Sequence, residues 1–219
     1  MEEDMVKFII LLILAYLLGS IPNGIWIGKI FFHIDIRRHG SKNIGATNTY
    51  RVLGWFAGTI VMVLDIAKGA IATWLPMQFG IHSWYPLIFG LAAILGHTYS
   101  IFDHFRGGKA VATSAGMLWA YNFVFFCIAA GTWVTCIFVT SMVSLASMLG
   151  FTIIVIASFF EHDPALTILA ICLTIFTFYR HRNNIIKIIH GNENLVPFGL
   201  YYWYLKYIKK TIHPKQQHK

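Results

Sequence analysis

The chain alternates long apolar runs with short polar connections, most of them basic. The first run covers residues 5–32, with Lys7 and Lys29 near its ends and Pro22 inside. A run of that length predicts a membrane-spanning helix whose rim lysines reach back to water. Residues 33–51 are polar and carry Arg37, Arg38, Lys42 and Arg51 against the single acid Asp35. Further runs at residues 55–77 and 86–102 predict a second and a third span, joined by the uncharged turn 78–86 and followed by a basic loop, 103–110. Residues 111–160 are almost unbroken apolar sequence, and residues 164–178 form one more run.

Charge decides how many helices the long stretch holds. Basic loops face the cytoplasm, so the loop with Arg106 and Lys109 and the cluster Arg180, His181 and Arg182 lie on the same side. An even number of crossings then separates them, which requires three helices within residues 111–160. Breaks are expected at Gly131 with Thr132 outside and at residues 140–147 inside, with Glu161, His162 and Asp163 as an outer turn. The expected fold is an all-α integral membrane protein with seven transmembrane helices, some short, the N-terminus outside and the C-terminus cytoplasmic. Fourteen of the seventeen Lys and Arg fall inside in this arrangement, and five of the nine acids fall outside.

Composition agrees. Hydrophobic residues make up 57% of the 219, charged residues 12%, and mean hydropathy is +0.64, which excludes a disordered chain, a nucleic-acid module and a secreted disulfide scaffold. The net charge of +8 belongs to topology rather than to a nucleic-acid partner. Cys127, Cys136 and Cys172 all sit in apolar runs and read as packing residues. The acidic start, Glu2, Glu3 and Asp4, fits a retained first span better than a cleaved signal. Residues 1–191 form one polytopic domain in this reading. Residues 192–219 form an aromatic and basic tail lying on the inner leaflet, and a chain ending at 191 is expected to keep its chemistry.

Three inner segments carry the candidate chemistry. GSKNIGATNTYR, residues 40–51, is dense in turn-forming donors and holds Lys42 and Arg51, a combination suited to an oxyanion. FRGGKAVATSAG, residues 105–116, sets Gly107 and Gly108 before Lys109 and a helix expected to start near Ala110. Paired glycines, a helix N-terminus and a lysine make an anion cradle in general form, although it lacks the first glycine and the hydroxyl residue of a Walker loop. In the third segment, around HRNNI at residues 181–185, His181 and Asn184 fall three apart on one helical face. Within the spans, Asp65 and Lys68 read as an internal ion pair that orders the bundle, and His97 as a packing histidine bonded to a carbonyl. Asn23 and Ser144 lie toward inner span ends, where they can line a site.

With GSIPNG at 19–24, DIRRHGSKNIGATNTYRVLG at 35–54, LDIAKG at 64–69, GHTYSIF at 96–102, the GGK loop, VSLAS at 143–147 and HRNNI, the chain resembles the bacterial acyl-phosphate:glycerol-3-phosphate acyltransferases of the inner membrane. The resemblance implies transfer of an acyl chain from acyl phosphate to the 1-hydroxyl of glycerol 3-phosphate, giving lysophosphatidate and phosphate on the cytoplasmic face. It implicates Ser41, Asn43, Thr47, Asn48 and Arg51 in the first loop, Gly107, Gly108 and Lys109 in the second, then Ser144, and His181 with Asn184. Lys109, His181 and Arg51 take the catalytic roles and the others bind substrate. Arg51 and Lys109 neutralise the phosphates, the Gly107 and Gly108 amides hold acyl-phosphate oxygens, and Ser41 and Asn184 orient the acceptor. His181 or a substrate phosphate oxygen takes the proton. The sequence departs from the family at Asn23, at Ala110, where glycine is usual, and at Ser141, where a basic residue is common.

No metal site and no cofactor are expected; the partners are the two small substrates and the bilayer, and the chain is expected to act as a monomer. The rival reading is a membrane transporter of phosphate or an organophosphate, since polar residues in a helical bundle also mark ion paths. Against it, the polar residues cluster on one face rather than at mid-membrane, and no inverted repeat is visible.

Overall fold

The computed structural model describes residues 2–81 and 85–212. The expectations for residues 82–84 of the second turn, for Lys215 and Lys219, and for the side chains of Lys209 and Lys210 fall outside it. All regular structure among the described residues is helical. The apolar runs become α1 (Glu2–Ser20) and α2 (Asn23–Phe32), α4 (Trp55–Gln78), α5 (Tyr85–Thr98), α6 (Val111–Tyr121), α7 (Phe123–Thr140), α8 (Val143–Ser158) and α9 (Pro164–Arg180). The described residues also include three polar or amphipathic helices: α3 (Ala46–Leu53) in the first loop, α10 (Arg182–Ile189) and α11 (Leu200–Ile212).

Among the described residues three segments, Trp55–Gln78, Pro86–Asp103 and Phe123–Thr140, are long and apolar enough to cross a membrane, and the number rises to five if each bent pair, α1 with α2 and α9 with α10, forms one span. Ile13, Ile30, Val63, Trp74, Val134 and Ile168 are half or more exposed. Apolar surface on this scale suits lipid, where a helix satisfies its interior backbone groups within itself.

The long apolar stretch divides into three helices, but its first break is not at Gly131, which lies within α7. The break falls at Asn122, whose side-chain oxygen accepts the N–H groups of Val124 (3.1 Å) and Phe125 (3.2 Å) and so caps α7. A small Gly-Thr pair can continue a helix in an apolar setting, whereas a helix start needs an acceptor for its orphan donors. The second break is where the sequence puts it, at Ser141, which adopts a left-handed backbone with φ of 58°. The turn at 161–163 also holds: Asp163 caps α9 through Leu166 N–H (3.0 Å) and takes the Tyr121 hydroxyl (2.6 Å).

The chain forms two compact units, Met1–Cys127 with His162–Leu169, and Ile128–Glu161 with Ala170–Lys219. In the first, Leu11 and Ala15 of α1 pack with Ala72 of α4 and Phe89, Ala92 and Ala93 of α5. α4 and α6 lie so close that a methyl group on Gly69 would overlap the Thr113 carbonyl, and one on Gly116 that of Ile66, the small-residue packing that membrane helices use. Pro22 bends α1 against α2 by 46°. The bend takes the Ile21 carbonyl out of the i to i+4 ladder, because Ile25 N–H bonds to Pro22 O instead (2.9 Å); it accepts Asn23 N–H at 3.1 Å and the buried Lys68 ammonium at 3.0 Å. Lys68 also meets Asp65 at 2.9 Å, and Asn23 Nδ2 donates to Asp65 at 2.9 Å, so the expected ion pair does order the helices around it.

In the second unit Cys136, Ile137 and Ala146 form the core with Trp133, Val143, Leu145 and Val196 around them. The tail is fixed to this core. Val196 N–H donates to Ser141 O (2.9 Å) and Tyr202 N–H to Ser141 Oγ (3.1 Å). Beyond it, α11 exposes Trp203, Tyr204 and Tyr207, with the Lys206 ammonium 4.8 Å from the Trp203 ring centroid.

Candidate active site

The first loop is built around Asn48. Its Oδ1 accepts Ser41 N–H at 2.7 Å, while its Nδ2 donates to Ile36 O at 2.9 Å and to His39 O at 3.2 Å. The side chain is 1% exposed, and these bonds fold residues 36–41 back over the start of α3. Asn43 makes a tight local turn by accepting Gly45 N–H at 2.9 Å. Ser41 and Arg51 are exposed, and Thr47 is half-buried in the first turn of α3. Asp35 begins the loop by accepting Arg37 N–H at 3.1 Å, which caps the 3-10 turn Ile36–Arg38.

The second loop leaves α5 through another 3-10 turn, Ile101–Asp103. Arg37 ties the two loops together. Its guanidinium pairs with Asp35 at 2.6 Å and with the buried Asp103. The hydrogen bond from Arg37 holds the Asp35 carboxyl well below the usual carboxylate range, overriding the opposing effect of burial, and the bond to Asp35 raises the Arg37 guanidinium in turn. A cavity of about 360 Å³ lies between the loops. Arg38, Lys42 and Arg106 line it together with the Asp35, Arg37 and Asp103 cluster, Asn43 and Gly107. Four cations against two carboxylates favour an anion there.

The glycine pair works differently from the expectation that both amides face an anion. Gly108 N–H donates to His97 O at 3.1 Å. A methyl on Gly107 would overlap the carbonyls of His97 and Thr98, and one on Gly108 would overlap His97 Nε2. Both positions are glycine because the loop lies directly on the end of α5. Ala110 then takes a left-handed backbone, φ 57°, and its carbonyl accepts Ser114 N–H at 2.8 Å, so α6 begins one residue later, at Val111. Lys109 therefore sits at the immediate approach to a helix N-terminus, as its sequence setting suggests.

The second unit holds Ser144, His181 and Asn184. Ser144 lies in the first turn of α8 and Asn184 in the first turn of α10. Their side chains meet on one carboxylate: Ser144 Oγ donates to Glu193 Oε1 at 2.9 Å and Asn184 Nδ2 donates to the same oxygen at 2.8 Å. Glu193 is buried, and it lies past the boundary drawn at residue 191. His181 is not on a continuous helical face with Asn184. It sits at the 61° bend between α9 and α10, buried, with Nδ1 2.9 Å from Thr177 O. A carbonyl can only accept, so Nδ1 carries a proton and the neutral ring has its lone pair on Nε2.

Sequence reasoning missed Glu193, Asp103 and the pairing of Asp35 with Arg37. Asp35 and Arg37 stand two apart in a turn and offer a local signal, but Glu193 in HGNENL offers none. Among the described residues no group of three or more His, Cys, Asp and Glu side chains is placed to hold a metal ion.

The profile of the family described as glycerol-3-phosphate acyltransferase matches residues 9–191. The chain belongs to that family. It is thus an acyltransferase, and its relatives are named accordingly. The glycerol-3-phosphate acyltransferase of Levilactobacillus brevis is 64% identical over 197 residues, covering 88% of this chain and 95% of the relative. That of Lactiplantibacillus plantarum is 59% identical over 196 residues, covering 89% and 94%. Among solved structures, the acyltransferase is similar to PlsY, an integral membrane glycerol 3-phosphate acyltransferase crystallised in a glycerol 3-phosphate form. The TM-score is 0.81 at 38% identity, over 87% of this chain and 96% of that one. The lysophosphatidic acid form of PlsY gives 0.79 at 37% identity, over 86% and 95%. The acyltransferase is therefore a membrane protein whose regular structure, among the described residues, is helical, and the transporter reading loses its ground.

Proposed function

We propose that the enzyme transfers an acyl chain from acyl phosphate to the 1-hydroxyl of sn-glycerol 3-phosphate, giving lysophosphatidate and inorganic phosphate, the first acylation of phospholipid synthesis. The hydroxyl oxygen attacks the acyl carbon, the ester bond forms, and the bond from that carbon to the phosphate oxygen breaks. The observation that carries this reading is the cationic cavity between the first loop and the GGK loop. Beside it in the same unit lies an apolar groove of about 440 Å³ along α1, α2 and α4. The 3-10 turn Ile101–Asp103 gives Phe102 to the groove and Asp103 to the cavity. A phosphate head and an alkyl tail joined through one reacting carbonyl call for such a pair. Glycerol 3-phosphate and lysophosphatidic acid, the compounds for which the two PlsY forms are named, fit the same acceptor and product.

In this reading Arg51 and Lys109 neutralise substrate phosphate, assisted by the cations of the cavity, and Ser41, Asn43 and Thr47 supply donors from the first loop. Asn48 acts by fixing that loop, because its amide is already bonded to loop backbone. Gly107 and Gly108 let the loop reach its position. Ser144 and Asn184, held by Glu193, orient the acceptor, and His181 Nε2 accepts its proton.

Seven crossings, with the N-terminus outside and the C-terminus and site on the cytoplasmic face of the bacterial membrane, complete the proposal. The three-helix division of residues 111–158 supports the odd number, with Asn122 as an outer turn. Reporters fused after Asn122 and after the C-terminus are expected to read outside and inside respectively.

The deciding assay uses purified protein in liposomes with palmitoyl phosphate and glycerol 3-phosphate. Phosphate and lysophosphatidate are expected in equal amounts, with no product when palmitoyl-CoA replaces the acyl phosphate. Product from acyl-CoA alone would overturn the choice of donor.

A further inference from the structure

The GGK loop rests on a buried polar column. His97 receives Gly108 N–H on its backbone carbonyl at 3.1 Å, and its ring fills the space where a Gly108 side chain would begin. On the other side of the ring, Nδ1 is 3.7 Å from Asp65 Oδ1. Asp65 is itself fixed by Lys68 at 2.9 Å and Asn23 at 2.9 Å, and Lys68 by the carbonyl freed at the α1–α2 bend. Asp65, Lys68 and His97 are each at most 5% exposed. Ionisable groups at such depth are expensive to bury and are retained where they hold something in place. Packing alone does not require them, since an apolar residue would fill the His97 site at lower cost.

We propose that His97 is a positioning residue for Lys109. Its ring, backed by Asp65 and Lys68, sets the height of Gly108 above α5 and so fixes the point from which the next side chain reaches substrate phosphate. This rests on the reading of the GGK loop as the phosphate-holding element. The mechanism is steric at the ring face and polar behind it. A smaller residue at 97 lets the loop sink and moves the Lys109 ammonium. A methyl at 108 pushes the loop the other way.

These opposite errors define the test. His97→Ala, Gly108→Ala and the double variant are compared with the wild-type enzyme in liposomes, with thermal melting and hydrogen exchange of residues 105–110 measured alongside turnover. His97→Ala is expected to raise KM for glycerol 3-phosphate or acyl phosphate at least tenfold while kcat changes less than threefold. Gly108→Ala is expected to lose at least a hundredfold in kcat/KM. The double variant, in which the methyl occupies the space the ring has left, is expected to regain at least tenfold over Gly108→Ala. His97→Gln, which keeps a polar group toward Asp65, should recover part of the KM and the slow exchange of the loop. Losses that simply multiply in a folded double variant overturn the proposal. So does a His97→Ala protein that melts earlier yet keeps wild-type KM, because that is packing alone. Hydrogen exchange separates the two levels: altered loop exchange in a chain whose wild type makes no product refutes the reaction and leaves the positioning intact.

Discussion

Asn184 and Glu193 are joined by a 2.8 Å hydrogen bond from Nδ2 to Oε1, and that oxygen also takes the Ser144 hydroxyl at 2.9 Å. One carboxylate thus orients a residue of α8 and a residue of α10. Removing it leaves the buried Ser144 hydroxyl without this acceptor, at a cost of about 1–3 kcal/mol, and the half-buried Asn184 amide without it at a smaller cost. Glu193→Ala is expected to reduce turnover at least as much as Ser144→Ala or Asn184→Ala alone.

The same bond alters the expected effect of shortening the chain. A protein ending at residue 191 lacks Glu193, and also Val196, whose N–H holds the α7–α8 turn at Ser141 O (2.9 Å). One ending at residue 199 keeps both. Measured on folded, monodisperse protein, turnover should be lost in the first and retained in the second. Retention in both would place the tail outside the chemistry, as the composition of residues 192–219 alone suggests.

Ala110 holds a left-handed backbone, φ 57°, directly after Lys109. An L-residue in that region costs roughly 1–2 kcal/mol, and glycine does not incur it. Loss of the buried Ala110 methyl offsets part of the gain. Ala110→Gly is expected to raise the melting temperature by about 2–4 °C, the shift for about 1 kcal/mol in a chain this long, with turnover unchanged. A lower melting temperature would mean that the methyl packs better than the backbone strains.

The Asp35 and Arg37 pair has a calculable pH signature. The carboxyl is held below its unfolded value of about 3.9. A depressed folded value means that the pairing stabilises at all pH above the unfolded value and is lost as pH falls through the folded one. Arg37 is 36% exposed at its side chain, so the contribution is small. The melting-temperature difference between wild type and Asp35→Asn should be constant from pH 5 to 8 and should shrink below about pH 4. A difference that changes near pH 6–7 would assign the effect to another group.

Much of this arrangement is legible in the sequence where the cause is local. Asp65 and Lys68 lie three apart on a helix and pair as that spacing dictates. The helix after the GGK loop starts within one residue of its expected place. What is not legible depends on distant backbone. The direction of Gly108 N–H is set by the carbonyl of His97, eleven residues back, and no spacing rule points there. Glu193 meets Ser144 across 49 residues and carries no periodicity of its own. Gly131 misleads because a glycine in an apolar run is equally compatible with a turn and with continued helix, and only the cap at Asn122 decides.

His181 is where sequence and geometry together give a sharp test of mechanism. Its Nδ1 donates to Thr177 O at 2.9 Å, so in the neutral ring Nε2 is the basic nitrogen. A histidine that takes the acceptor's proton contributes about 10²–10⁴ in rate. Protonation of Nε2 removes the base, so kcat/KM should fall on the acid side. His181→Gln keeps the size and a polar end but has no titrating nitrogen. If His181 is the base, the variant loses at least a hundredfold in kcat, KM changes little, and the acid limb disappears. A substrate phosphate oxygen, with a second ionisation near pH 6 by analogy with phosphorylated side chains, would give a limb in the same region. That limb would survive in His181→Gln, with near-normal kcat and raised KM, and it would then belong to the substrate rather than to the protein.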